Sequence, residues 1–97
     1  MKIVWTVVAN GDLQRLHAFL APHAPAAAAK IVQALVQAPD RLLEFPRLGM
    51  KLFVYEPREV RRIIVGDYEL RYEIANEAII ILRLWHHRED RSLGADG

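Results

Sequence analysis

The sequence predicts an α+β domain: an opening strand, a helical hairpin, then an antiparallel three-strand meander forming one sheet packed on the helices. Three observations predict it. Apolar residues recur at helical spacing from Ile31 through Leu35, Ala38 and Leu42 to Phe45. The period then becomes two, with Tyr68, Leu70, Tyr72 and Ile74 alternating with Glu69, Arg71 and Glu73. Gly66-Asp67 and Asn76-Glu77 are turn pairs that divide the second half into three short strands.

The elements follow in order. Met1 to Val8 is apolar and rich in branched side chains, so it reads as a strand. Asn10-Gly11-Asp12 breaks it, and Asn10 or Asp12 is placed to cap the helix that follows. Leu13, Leu16 and Leu20 share one face of that helix, with Phe19 beside them. Pro25 suits the first position of a second helix, where no hydrogen bond is lost. Pro39 predicts a kink or two abutting helices, because it lacks an N–H and crowds the preceding turn. Pro46 to Gly49 ends the helical half, and Lys51 to Glu59 reads as either an added strand or an ordered loop. Val60 to Val65, Tyr68 to Ile74 and Ala78 to Trp85 are the meander. The last of these is the most continuously apolar and so belongs in the middle of the sheet. Simple alternation puts Arg83 on one face with Ile79, Ile81 and Trp85.

Ninety-seven residues make one domain, and 53% hydrophobic content is enough for a core. The domain is expected to span 1–91, with a small, polar, disordered tail at 92–97. The absence of cysteine excludes a disulfide framework, a thiol nucleophile and cysteine-ligated zinc. The four histidines lack metal-ligand spacing, so no metal or cofactor is expected. Thirteen basic and twelve acidic residues give a net charge of +1, which argues against sequence-specific DNA binding by the chain alone. No apolar run approaches the roughly 18 residues of a membrane span, and the first residues lack a signal-peptide pattern, so a cytoplasmic protein is expected.

Several local patterns, in this order, resemble the ParE/RelE toxin superfamily, the plasmid-stabilisation toxins of type II toxin–antitoxin pairs. Trp5-Thr6 closes the first strand as in that family. Asp12-Leu13 with Phe19-Leu20 is similar to its first helix. Ala27-Ala28 through Arg41-Leu42 and then Glu44-Phe45-Pro46-Arg47-Leu48-Gly49 resembles its second helix and exit. Arg61 or Arg62, Tyr68 and Tyr72 resemble its meander, and Ile81 through Trp85 to His86-His87-Arg88 resembles its closing strand. The helix wording and the His86-His87-Arg88 ending lean toward the ParE branch.

The resemblance implies a toxin that inhibits DNA gyrase by binding it and is neutralised by a cognate, ParD-like antitoxin. It also carries an alternative, a RelE-like, ribosome-dependent mRNA endonuclease, and a further one, a non-toxic homologue that keeps antitoxin binding. For the ribonuclease, charge stabilisation of a scissile phosphate would fall to Arg61, Arg62 and Arg88, with His86 moving a proton. Two positions depart from the family pattern: Glu69 stands where RelE-like members carry an arginine, and Met50 where an arginine follows the glycine. For Glu69, Arg71 and Glu73, pairing with Arg62 or Arg83 across strands is the default reading. An antitoxin segment that folds on binding is expected on the helical hairpin and sheet edge, through Ile31, Leu35, Leu42 and Trp85.

Overall fold

The computed structural model describes residues 1–87. The expected tail at 92–97 and Arg88 lie outside the described residues. The chain forms β1 (Lys2–Trp5), α1 (Val7–Leu20), α2 (Pro25–Gln37), α3 (Asp40–Glu44), β2 (Met50–Lys51), a 3₁₀ turn (Phe53–Tyr55), β3 (Glu59–Val65), β4 (Tyr68–Ala75) and β5 (Ala78–His86). The five strands make one sheet in the order β1-β5-β4-β3-β2. The meander is antiparallel, β1 runs parallel to β5, and β5 is internal as its apolar sequence requires. The segment read as strand or loop is both, a two-residue β2 and a 3₁₀ turn.

Two boundaries differ from expectation. The first strand stops at Trp5, because Thr6 is the cap: its Oγ1 accepts from the Ala9 N–H at 3.0 Å and donates to the Ile81 carbonyl at 2.8 Å. Val7 and Val8 therefore open α1 and face solvent, while Asn10-Gly11-Asp12 lies inside the helix. At the other site the prediction holds. Pro25 sits in the first turn of α2, and Pro39 separates α2 from α3.

One sheet face carries the core. Leu42, Leu70, Tyr72, Ile79 and Ile81 pack with Ala9, and Leu35 packs with Tyr68 and Leu84. Leu35 and Leu42 are both fully buried, so the stripe's centre fastens the hairpin to the sheet, while Phe45 at its end is exposed, as is Phe19 on α1. A bulge changes the closing strand. Register passes from Arg71 opposite Arg83 to Tyr72 opposite Ile81, which leaves Leu82 as the extra residue. Arg83 and Trp85 therefore share the face of Arg71 and Glu69, not that of Ile79 and Ile81 as simple alternation predicts.

The face away from the helices is not a solvated polar face either: Glu69 and Arg71 are buried. Asn76 and Glu77 turn β4 into β5 with φ of 52° and 57°. Such a pair of positive φ values matches the twist of a tight hairpin.

Candidate functional site

The site is built on the sheet face that the helices leave uncovered. Opposed residues of an antiparallel ladder share a face, so Arg62, Arg71 and Arg83 line up across β3, β4 and β5. Glu69 stands among them. Its Oε1 accepts from Arg62 Nη1 at 3.0 Å and its Oε2 from Arg71 Nη2 at 2.9 Å. Arg71 also donates to Tyr55 Oη at 2.9 Å, so the 3₁₀ turn is tied to this face. The Arg71 and Arg83 guanidinium carbons lie 4.7 and 5.7 Å from the Trp85 ring centroid, within cation–π range. Beside them, Arg58 grips Glu73 through Nε and Nη2 at 3.1 and 2.8 Å.

The rim of this face meets α1. Where β1 ends and the bulge disturbs β5, the free strand edge is capped by helix side chains. Asp12 Oδ2 accepts the Leu84 N–H at 3.0 Å and Arg83 Nε at 2.9 Å, and Arg15 pairs with Oδ1. The hydrogen bond and charge of Asp12 outweigh partial burial and hold Arg83 even more firmly protonated than a free guanidinium.

The residues expected to form a ribonuclease centre are dispersed. Arg61 and Arg62 are neighbours on one strand and point to opposite faces. Arg61 donates to Glu59 at 2.9 Å and to the Gly49 carbonyl at 2.8 Å, among the β2–β3 connections. His86 sits edge-on to Tyr68, centroids 5.1 Å apart, at the opposite end of the meander. The four residue steps along β4 from Tyr68 to Tyr72, the partner of Arg61, amount to roughly 13 Å.

Of the residues expected to meet an antitoxin, Leu35 and Leu42 have no exposed surface, Trp85 has 6%, and Ile31 is half-buried. In the free chain the first two are core residues. Their sequence neighbours Val36 and Leu43 are among the exposed apolar groups instead, as is Phe19 on α1. Among the described residues there is no cluster of three or more metal-ligating side chains, and no helix is long and apolar enough to cross a membrane. The sequence offered Asp12 as a helix cap, a role Thr6 takes instead, and gave no sign of it as the anchor of β5, since its partners lie 71 and 72 residues away.

Residues 3–91 match the family described as the ParE toxin of the type II toxin–antitoxin system parDE. The chain belongs to the ParE toxin family. It is 32% identical over 85 residues to Toxin RelE2 of Caulobacter vibrioides, covering 88% of this chain and 93% of that protein. The fold matches the chromosomal ParDE toxin–antitoxin system from P. aeruginosa with a TM-score of 0.74 at 24% identity, covering 89% of this chain and 95% of that one. The α+β reading of the sequence, with its strand, helical hairpin and meander, is thus the architecture of a ParE-family toxin.

One acid in this ParE-family chain makes stability depend on pH. Burial alone would raise the Glu59 carboxyl, but hydrogen bonds from Arg61 and Arg47 outweigh it and hold the group below its ordinary value. A depressed carboxyl stabilises the fold above the unfolded-state value, and that contribution disappears as pH falls through the folded-state value. Urea midpoints for the native chain and Glu59→Gln should therefore differ at pH 7 and converge as pH falls below the carboxylate range. A gap that persists undiminished at pH 3 would show that Glu59 acts through packing instead.

Proposed function

We propose that this ParE-family toxin arrests growth by binding a protein target, DNA gyrase, without doing chemistry on it, and that a ParD-like antitoxin restrains it in the cytoplasm. The observation that supports this most is the state of the arginines. Arg58, Arg62, Arg71 and Arg83 each already hold a carboxylate, from Glu73, Glu69, Glu69 and Asp12. A phosphate in flight needs cations that are not already neutralised, and a base and acid aimed at it. Here His86 is held on Tyr68, away from Arg61. A rigid face of paired charges and aromatic rings suits recognition, where complementary charge fixes orientation and partner choice.

A second reading, a ribosome-dependent mRNA endonuclease, is favoured by the similarity to a protein named Toxin RelE2. The two separate on the first minutes after induction in bacteria that lack the antitoxin. Thymidine incorporation should fall before methionine incorporation, and the purified chain should inhibit gyrase supercoiling. Methionine incorporation falling first, with mRNA cut on ribosomes, would overturn the proposal. Continued growth would remove toxicity altogether and leave a homologue that only binds.

A further inference from the structure

Phe53 and Val54 in the 3₁₀ turn after β2 are 67% and 81% exposed. Single exposed apolar residues are ordinary on any surface, but these two are neighbours on a turn that is held rigid. The ring of Tyr55, next in the chain, meets two guanidiniums, with the carbons of Arg58 and Arg71 each 5.8 Å from its centroid. Its hydroxyl accepts from Arg71 at 2.9 Å. On the other side, the Leu52 N–H donates to the Val60 carbonyl at 2.8 Å. The Lys51 ammonium stands 5.0 Å from the Phe53 ring centroid and donates to Glu56 at 3.0 Å. A tip fixed on both sides has little conformational freedom left to lose on binding. The charge around it is unbalanced. Lys51 and Arg58 are matched singly by Glu56 and Glu73, but Arg47 and Arg61 share Glu59, and Arg62 and Arg71 share Glu69. This side of the sheet is therefore cationic on balance.

We propose that the Phe53–Val54 tip is the element this toxin inserts into its protein target, in an apolar pocket whose rim carries carboxylates. This rests on the reading of the chain as a toxin that acts by binding a protein, and it assigns that contact to one turn. The tip is convex, so its host is concave. The surplus of arginine behind it selects an acidic rim, which orients the encounter and sets its salt dependence. A second copy of this chain is a poor host. One of its clefts is lined by Arg15 and Arg83, which share the single carboxylate Asp12, and another by Arg41 and Arg62 with no acid. Both would repel a cationic tip.

The test uses the full chain, with binding to immobilised, purified gyrase and growth arrest in bacteria lacking the antitoxin as separate readouts. Val54→Asp and Phe53→Ser alter exposed side chains and should leave the urea midpoint unchanged. Each should weaken gyrase binding at least about tenfold, the loss expected of an interface hot spot, and should relieve growth arrest. Val7→Asp is the control. Val7 is 89% exposed and follows β1, at the sheet edge opposite β2, and its variant should bind and arrest as the native chain does. Arg47→Gln, at a side chain 64% exposed, should weaken binding several-fold at low salt and little at high salt. Tip variants that bind gyrase and arrest growth as the native chain does overturn the proposal and leave the gyrase reading standing. If the native chain arrests growth without binding gyrase, the gyrase reading fails and growth arrest alone judges the tip. Arrest lost in both tip variants but kept in Val7→Asp then supports it, and arrest kept in them overturns it. A native chain that neither binds gyrase nor arrests growth sinks both. Flotation of the native chain with anionic vesicles, or its self-association, abolished in either case by Val54→Asp, would give the tip to a membrane or a second copy and overturn the proposal.

Discussion

Glu69→Ala should destabilise the fold by about 3–5 kcal/mol, the cost typical of removing one partner from a buried ion pair. The Glu69 side chain is 1% exposed and spans two guanidiniums, Arg62 at 28% exposure and Arg71 at 10%. Without it Arg62 can swing to water, but Arg71 is held by Tyr55 and the Trp85 ring and keeps its charge among them. The loss therefore falls mainly on Arg71. Glu69→Gln retains shape and one acceptor and should lose less. Urea denaturation of both variants measures this, and a loss under about 1 kcal/mol for the alanine variant, the size of an exposed pair, would contradict it. Glu69→Gln also tests function. If the sheet face were a phosphate site blocked by its own acid, the variant would gain cleavage of ribosome-bound RNA. On the proposed reading it gains none.

Legibility of the chain tracks the sequence distance over which each feature is decided. The helical stripe, the Pro39 break, the alternating β4 and its flanking turns depend on neighbours and were all readable. The start of α1 was not, because Thr6 resembles a strand residue until its hydroxyl meets Ile81, 75 positions away. The Leu82 bulge has no local signature, and it alone decides which face Arg83 takes. Pairing of Glu69 with Arg62 followed from strand order, whereas Arg58 with Glu73 needed the path of the 3₁₀ turn. For the partner-binding residues, periodicity marked the apolar stripe but could not divide it into core and surface. Leu35 and Val36 are adjacent and equally apolar, and only the sheet's position buries one and exposes the other.

Gly49→Ala should destabilise by about 3 kcal/mol or more, the upper end for overpacking, although glycine-to-alanine is often stabilising. A Cβ at Gly49 would stand 2.6 Å from the Arg62 carbonyl oxygen and 2.7 Å from the Tyr72 hydroxyl. The first is backbone of the β2–β3 ladder and the second belongs to a fully buried ring, so neither yields cheaply. The hydroxyl is also committed. It accepts the Gly49 N–H at 3.0 Å and donates to the Pro46 carbonyl at 2.7 Å, and burial pushes its ionisation above the ordinary tyrosine value. Tyr72 thus pins the exit of the helical half to the meander, and close approach, not a positive φ, requires glycine there. Gly11 supplies the control. It lies within α1 with nothing inside 4 Å of a Cβ, so Gly11→Ala should stabilise by about 0.4–1 kcal/mol. Opposite signs for the two substitutions in urea unfolding are the expected result. If Gly49→Ala is neutral, the exit loop moves freely against β3, and the Tyr72 pin does not hold Arg61 and Arg62 in place.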